Sequence, residues 1–284
     1  MNSIPATTRK DIEDELRRVG SLPNGEINLA RTALLLAARE RPAVDLSAYE
    51  NHLSEMTREA GARLVAENSG ESLEGIITAI NSVLYEQYGY RGDDENYDDL
   101  SNADLFSVID RRRGLPVALG ILYLHIARRL YCEADGLSFP GHFLIRVGYG
   151  GERRVLDPFN EGRSCTPADM RQLLKALAGI DAELTREHYA ASSDLQILLR
   201  LQNNLKLCLL RAQKADEALP VVESMLLLAP ETPDLWREAG LIHNHLGQLR
   251  EGIHALEQYL NLAGPDEHRQ ETAQLLEEMR GRLN

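Results

Sequence analysis

The stretch RRRGLPVALGILYLHIARRL, residues 111–130, is the most apolar run in the sequence and fixes where the core of the molecule lies. Residues 114–116, Gly-Leu-Pro, interrupt the preceding segment, and proline suits the first helical turn, where its missing N–H loses no intrahelical bond. Apolar side chains then occupy every face as far as Arg128. A helix that is apolar nearly all round is a buried helix. The stretch therefore predicts a central helix about 22 Å long, which is too short to span a bilayer.

Two strands joined by a tight turn are predicted after this helix. Apolar side chains alternate from Phe143 to Val147 within SFPGHFLIRVGYG, residues 138–150. The pair at 150–151, Gly-Gly, is typical of a hairpin turn, and the second strand is RRVLDPF, residues 153–159. The pattern places His142 at the start of the first strand and Asp157 at the end of the second.

The order of helix, strand, hairpin and strand resembles the transglutaminase-like superfamily, and within it the SirB-type bacterial proteins, which also carry tetratricopeptide repeats. The resemblance is carried by residues 111–130, FPGHFLIR (139–146) and LDPFNEG (156–162), preceded by YEQYGYRGDDENYDDLSNADLFSVIDRRRG (85–114). In catalytic members, a cysteine at the helix N-terminus is the nucleophile, a histidine takes its proton and an aspartate fixes the imidazole tautomer. The resemblance thus implies that His142 is the base and Asp157 its orienting partner.

The nucleophile implied by this resemblance is absent. Catalytic members open the helix with Gly-x-Cys, followed by an arginine twelve residues after the cysteine, as Arg128 follows Pro116 here. Aligned in this way, the nucleophile position falls on Pro116, and a two-residue shift moves it to Ala118. Among the three cysteines, Cys165 is the one that could substitute, because it precedes a helix start at residues 166–169. We expect it to be an inert loop cysteine.

A polar loop is expected to form the rim of the cleft around the helix N-terminus. Its sequence, GYRGDDENYDDLSNA (89–103), contains five acidic residues but not the spacing of an EF-hand, so a calcium site is the less favoured interpretation and no metal is predicted. The residues assigned to the cleft by the resemblance are Asn102, Gly114, Pro116, Ala118, Pro140, Gly141, Pro158 and Phe159.

Periodic apolar residues predict helices on both sides of this core. Before it, helices are expected at 11–19, 28–39, 46–66 and 73–85, and after it at 166–190. Segments 216–231 and 251–266 then align at a constant offset of 34 residues, which is the tetratricopeptide period. Such helix pairs bury their apolar faces only by stacking, so we expect these few repeats to dock on the first domain.

Composition narrows the possible partners and the compartment. A net charge of −13 argues against sequence-independent binding of nucleic acid, which needs clustered positive charge. Three widely spaced cysteines indicate reduced thiols, and the polar N-terminal sequence lacks the apolar stretch of a signal peptide. We therefore expect a cytoplasmic protein with a protein partner, no nucleic-acid or membrane partner and no cofactor.

Together these patterns predict an α+β protein with two domains. Residues 1–190 are expected to form a transglutaminase-like (papain-like) domain, with a helical lobe at 1–85 and a core at 86–190. Residues 191–284 are expected to form an α-helical tetratricopeptide-repeat domain. Two functions stay open. The favoured one is a non-catalytic module that binds a protein through its vestigial cleft and repeats. The alternative is a hydrolase or acyltransferase that uses His142 and Asp157 with an unconventional nucleophile, Cys165 or a bound water.

Overall fold

The computed structural model describes residues 8–66, 72–265 and 267–283 of the chain. It is a mixed helical and sheet protein, as predicted. The helices are α1 (Arg9–Gly20), α2 (Leu29–Ala38), α3 (Leu46–Ala66), α4 (Leu73–Asn81), α5 (Leu105–Arg111), α6 (Pro116–Arg129), α7 (Pro167–Ala178), α8 (Asp194–Arg211), α9 (Ala215–Leu228), α10 (Pro233–His245), α11 (Leu249–Leu262) and α12 (Arg269–Leu283). No helix in these described ranges is both long and apolar enough to cross a membrane.

The strands form one antiparallel sheet and one short parallel pair. They are β1 (Arg91–Gly92), β2 (Arg113–Gly114), β3 (Glu133–Leu137), β4 (Ile145–Tyr149), β5 (Glu152–Asp157), β6 (Arg163–Ser164) and β7 (Ala191–Ser192). The sheet has the order β6-β5-β4-β3-β7, and β1 pairs with β2 in parallel. The β4–β5 hairpin matches Ile145 with Leu156, so Asp157 lies at the end of β5 nearest the segment that precedes β4.

The chain divides into two compact units. The repeat unit comprises Met1–Leu22, Ala38–Ala43 and Gln202–Asn284, and the core unit comprises Pro23–Ala37 and Val44–Leu201. Residues 194–201 of α8 belong to the core unit and residues 202–211 to the repeat unit. We expected α1 in the helical lobe of the first domain, but it packs in the repeat unit against α9. Gly20 permits this close approach, because a side chain there would collide with the carbonyl of Leu228.

Helix α6 is the centre of the core unit, as its sequence predicted. Every residue from Pro116 to Ala127 is buried, and Pro116 occupies the first helical turn after Leu115 as N-cap. Helices α3 and α4 pack on α6, which also contacts β3 and β4 of the sheet. Each fully buried leucine or isoleucine contributes roughly 1.5–3 kcal/mol relative to an exposed one. This helix is therefore the main apolar element on which the site is built.

Two glycines let a phenylalanine ring join α6 to the sheet. The Phe143 ring occupies the space that a side chain at Gly120 of α6 or Gly136 of β3 would need. The next residue, Leu144, packs in a separate cluster with Met170 and Leu174 of α7. Phe143 is thus buried against α6 and Leu144 against α7, and these two contacts hold the segment before β4 in place.

Several local features differ from the predictions. No strand is predicted where β3 lies, and His142 is predicted at the start of a strand, whereas β4 begins at Ile145. The reason is a tight turn, in which the His142 N–H donates to Pro140 O at 2.8 Å and Gly141 has a φ of +69°. The helix predicted at 166–190 ends at Ala178, because the next residue, Gly179, has a φ of +99°. The helix predicted at 73–85 ends at Asn81, where a π-helical segment, Ser82–Gln87, follows.

The repeat unit contains the predicted helix pairs. Helix α10 packs against α9 and α11, and α11 packs against α12. Val222 and Leu256, which the 34-residue offset aligns, are both fully buried at 0% exposure. The Trp236 indole N–H donates to Pro230 O at 2.7 Å across the turn between α9 and α10. The periodicity in the sequence therefore reflects equivalent buried positions.

Candidate functional site

The candidate site is centred on a paired imidazole and carboxylate. His142 lies in the loop between β3 and β4, Asp157 ends β5, and His142 Nε2 is 2.9 Å from Asp157 Oδ1. Both side chains are largely buried, with exposures of 12% and 7%. Burial by itself would raise the pKa of the Asp157 carboxyl. The pKa of that carboxyl is nevertheless held below its ordinary value. The hydrogen bond and charge of His142 make the larger contribution, and the hydrogen bonds donated by the Asn160 side chain and the Phe159 N–H add to it.

The lowered pKa of the Asp157 carboxyl determines which nitrogen of the His142 imidazole can act as a base. An Asp157 carboxyl with a lowered pKa is ionised at neutral pH and can only accept hydrogen bonds. His142 Nε2 must therefore carry the proton that Asp157 accepts, which leaves Nδ1 as the nitrogen that can act as a base. The pair has the chemistry of a base and its orienting carboxylate.

Asp157 also folds the turn that follows it. The Asp157 Oδ1 atom accepts from the Phe159 N–H at 3.0 Å, and Oδ2 accepts from the Asn160 side-chain amide at 2.7 Å. These bonds cap the short 3-10 segment Pro158–Asn160. On its other side, the Pro158 carbonyl accepts from the buried Tyr85 hydroxyl at 3.1 Å. Asp157 is thus a structural cap as well as the partner of His142.

An arginine that the sequence analysis did not single out holds the His142 loop. Arg200 of α8 donates to Phe139 O at 2.9 Å and to His142 O at 2.7 Å. Its guanidinium also lies 5.3 Å from the centre of the Phe143 ring. Arg200 therefore fixes both ends of the turn that carries His142.

Aromatic rings connect the pair to the rim of the cleft. The Phe159 ring meets the His142 ring edge-on at a centroid distance of 6.0 Å. The ring of Tyr97, a residue of the rim loop, lies 6.0 Å from the Phe159 ring. Gly92 of β1 lies directly on the Phe159 ring, where a side chain would not fit. Because β1 pairs with β2, and β2 leads into α6, the ring of Phe159 touches the strand pair at the entrance to the helix.

The start of α6 presents no nucleophile. Pro116 and Ala118, the two positions implied by the resemblance, are both buried. Asn102, which is fully buried, accepts from the Leu115 N–H through its backbone carbonyl at 2.9 Å. The Asn102 side chain donates to Asn96 O at 2.8 Å. Asn102 therefore ties the rim loop to the first turn of the helix.

The family follows from comparison with known proteins. Residues 47–203 match the model of the transglutaminase-like superfamily, and residues 205–280 match a tetratricopeptide-repeat model. The chain belongs to the transglutaminase-like superfamily. The combination of this domain with tetratricopeptide repeats supports a role as a protein-interaction module.

Similar proteins occur in bacteria and in animals. A UPF0162 protein of Xylella fastidiosa is 32% identical over 237 residues, covering 82% of this chain and 83% of that protein. A UPF0162 protein of Vibrio cholerae is 31% identical over 221 residues, covering 78% of this chain and 80% of that protein. F-box only protein 21 of Homo sapiens is 28% identical over 184 residues, covering 61% of this chain and 28% of that protein.

The acidic residues of the rim loop neutralise an arginine. Asp93, at 1% side-chain exposure, lies 3.2 Å from the Arg111 guanidinium, and Asp99 lies 3.4 Å from it. Arg111 also donates to Asn102 Oδ1 at 3.3 Å. Within residues 8–66, 72–265 and 267–283, no group of three or more His, Cys, Asp or Glu side chains could hold a metal ion. Asp93 and Asp99 are thus held in ion pairs with Arg111.

Cys165 lies close to Asp157, and its thiol has a raised pKa. It lines a depression of about 300 Å³ together with Asp157, Asn160 and Arg163. Burial, followed by the negative charges of Asp157 and Asp169, raises the pKa of the Cys165 thiol to about 11. The capping box at the N-terminus of α7 is formed between Thr166 and Asp169 and does not involve Cys165. At neutral pH the thiol is therefore protonated and a poor nucleophile.

The other residues that the resemblance assigns to the cleft differ in their exposure. Gly114 is buried against Val108, where a side chain would be tightly packed. Pro140 and Gly141 are exposed beside His142, and the Leu177 side chain of α7 packs next to Gly141. Leu177 itself is half exposed. The loop that carries His142 therefore has an apolar neighbour at the surface.

Proposed function

We propose that this protein is a non-catalytic transglutaminase-like module that binds a protein partner through the cleft beside His142 and Asp157 and through its repeats. The observation that carries the proposal is the buried Pro116 at the helix position where catalytic relatives hold their nucleophile. Proline has no group that can attack a carbonyl, and Ala118 offers none either. A base with nothing to activate does not complete an acyl-transfer site.

The His142–Asp157 pair has a sufficient structural reason to exist. The Asp157 carboxylate accepts from two side chains and two backbone N–H groups, so it organises the hairpin end and the turn after it. His142 in turn packs edge-on against Phe159. A buried hydrogen-bonded pair of this kind positions a loop even without chemistry.

The surface around the pair has the composition of a protein-binding site. Tyr97 on the rim is 44% exposed and Leu177 beside the His142 loop is 48% exposed. Aromatic side chains at a partly buried centre are the usual energetic anchors of protein interfaces. We infer that Tyr97, Phe159 and Leu177 contact the partner.

Catalysis with an unconventional nucleophile is the second candidate, because Cys165 and Asp157 line one depression. It is weaker, since a thiol with a pKa of about 11 would have to attack at neutral pH. A water molecule deprotonated by His142 Nδ1 would serve as nucleophile in the other form of this candidate. Either form requires turnover of an acyl donor.

Photo-cross-linking tests the proposal. A benzophenone amino acid is introduced at Tyr97 or Leu177, with the exposed hairpin position Glu152 as the matched control, and native extract is irradiated. We expect one protein to be cross-linked from both cleft positions and not from position 152. Phe159→Ala should weaken binding of that purified protein at least tenfold, the usual loss at an aromatic anchor. Equal cross-linking from all three positions, or turnover of an acyl donor by wild-type protein, would overturn the proposal.

A further inference from the structure

The repeat unit contains an apolar groove that is separate from the cleft. It has a volume of about 660 Å³ and is lined by Leu207 and Leu210 of α8 and by Leu241 and Ile242 of α10. The three leucines are each more than a third exposed, although they lie side by side. Single exposed leucines are common on protein surfaces, but a concave group of them marks an interaction site.

The groove continues towards the last helix. Leu241 also lines a second depression of about 220 Å³, whose other walls come from α12 and include Leu275 and Glu278. The two depressions meet at Leu241, so together they extend across α8, α10 and α12. A surface of this extent accommodates a peptide segment rather than a single side chain.

The charges of the groove are arranged asymmetrically. Lys206 Nζ lies 2.6 Å from the Glu238 carboxylate, but the lysine side chain is 4% exposed and the glutamate 38%. Arg237 lies 3.0 Å from Glu271, and here the exposures are 19% and 73%. Glu278 adds a further exposed carboxylate. Lys206 is thus buried beneath Glu238, and Arg237 is less exposed than Glu271, so the groove presents more carboxylate than cation to a ligand.

We propose that this groove binds a peptide segment of a partner protein in which leucine-like side chains are flanked by lysine or arginine. The apolar side chains would cover Leu207, Leu210 and Leu241, and the flanking cations would face Glu238, Glu271 and Glu278. The inference rests on the proposed function, since it names the chemistry of a partner bound by the repeats. Exposed charges of one sign select their opposite in a partner and reject the same sign.

Two synthetic peptides of equal length provide the test. Both carry leucines at helical i, i+3 and i+7 positions, and the flanking residues are lysine in one and glutamate in the other. Binding of each fluorescein-labelled peptide to the full-length protein is measured by fluorescence polarisation at about 150 mM salt, where distant charges are largely screened. We expect the lysine peptide to bind at least tenfold more tightly than the glutamate peptide.

Matched variants separate the groove from the general negative charge of the chain. Leu241→Ser should weaken binding of the lysine peptide about tenfold, whereas Leu283→Ser, at an exposed leucine outside the groove, should not. Glu278→Lys should weaken binding of the lysine peptide several-fold. Glu251→Lys, the same charge change at an exposed residue of α11, should have little effect. Equal binding of the two peptides, or equal losses in groove and control variants, would overturn the inference. Cross-linking from Tyr97 would survive that result, because it reports on the cleft.

Discussion

The sheet and the helix that the resemblance assigns to the cleft differ in how much of the catalytic arrangement they retain. On the sheet side, His142 and Asp157 are 2.9 Å apart, with a complete set of supporting bonds. On the helix side, the first turn of α6 offers Pro116 and Ala118, both buried. The paired side is built into the fold, because Asp157 caps a turn and Arg200 holds the His142 loop. The nucleophile position depends on a single side chain, so it can be absent without disturbing its neighbours.

Removing a side chain on each side should produce very different losses of stability. Asp157→Ala leaves His142, the Asn160 amide and two backbone N–H groups without their acceptor, so we expect the free energy of unfolding to fall by about 3 kcal/mol. Pro116→Ala removes no hydrogen bond and should cost less than about 1 kcal/mol. Urea denaturation of the two variants measures both values. Equal losses would mean that the pair is not a structural element.

A methyl group at the contact between the two sides should also destabilise the protein. Gly120→Ala pushes into the Phe143 ring, next to His142, and should cost about 2 kcal/mol through overpacking. Gly61→Ala, in helix α3, meets only Leu130 Cδ2 at 3.6 Å and should be neutral or stabilising by up to about 1 kcal/mol. Thermal denaturation should therefore show a lowered melting temperature for Gly120→Ala and an unchanged or raised one for Gly61→Ala. A stable Gly120→Ala protein would show that the Phe143 contact is loose.

Restoring a thiol would show whether the two sides are aimed at each other. In Pro116→Cys the new cysteine lies at a helix N-terminus, and we expect its pKa to fall about one unit below the ordinary ~8.5, or about 1.4 kcal/mol. Burial raises the pKa of Cys132 to about 11, so Cys132 serves as an internal reference. The pH dependence of alkylation gives both values. Adding His142→Ala should raise the pKa of the new thiol, and no change would mean that the imidazole is not directed at position 116.

The smallest expected effect is on acid stability. The pKa of Asp157 is lower in the folded protein than in the unfolded chain, where it is ~3.9. The ionised carboxyl therefore stabilises the fold above that pH, and this stabilisation is lost as the pH falls through the pKa of the folded state. Asp157→Asn should therefore be less stable than wild type at pH 7, with the difference shrinking in acid. Parallel unfolding curves from pH 7 to pH 3 measure this. A constant difference would assign the loss to packing alone.

The sequence could predict the elements that depend on local signals, but not the contacts between residues that lie far apart along the chain. Helix α6 was predictable, since an apolar run opened by Pro116 is a local signal. The imidazole–carboxylate pair could be proposed from the resemblance. Arg200 could not, because it lies 58 residues from His142 along the chain and nothing near it in sequence indicates that loop. The His142 turn was missed because alternating apolar residues hide the effect of Gly141.

The rim and the reactivity of Cys165 were beyond sequence reasoning for another physical reason. The edge-to-face contact of Tyr97 with Phe159 depends on where the rim loop folds, and polar loops carry no periodicity. Cys165 precedes a helix, which by itself suggests an activated thiol, but its burial and two neighbouring carboxylates act in the opposite direction. Only the three-dimensional surroundings determine which influence is larger.

The most direct test of the central claim is the reactivity of the cysteines in the wild-type protein. Purified protein is treated with iodoacetamide at pH 7, and labelling of Cys132 and Cys165 is followed by peptide mass spectrometry, with Cys165→Ser as the matched control. A non-catalytic cleft predicts that both residues react slowly, since the pKa of each thiol is raised to about 11. Rapid, stoichiometric labelling of Cys165 that disappears in Cys165→Ser would show an activated nucleophile beside Asp157 and would contradict the account.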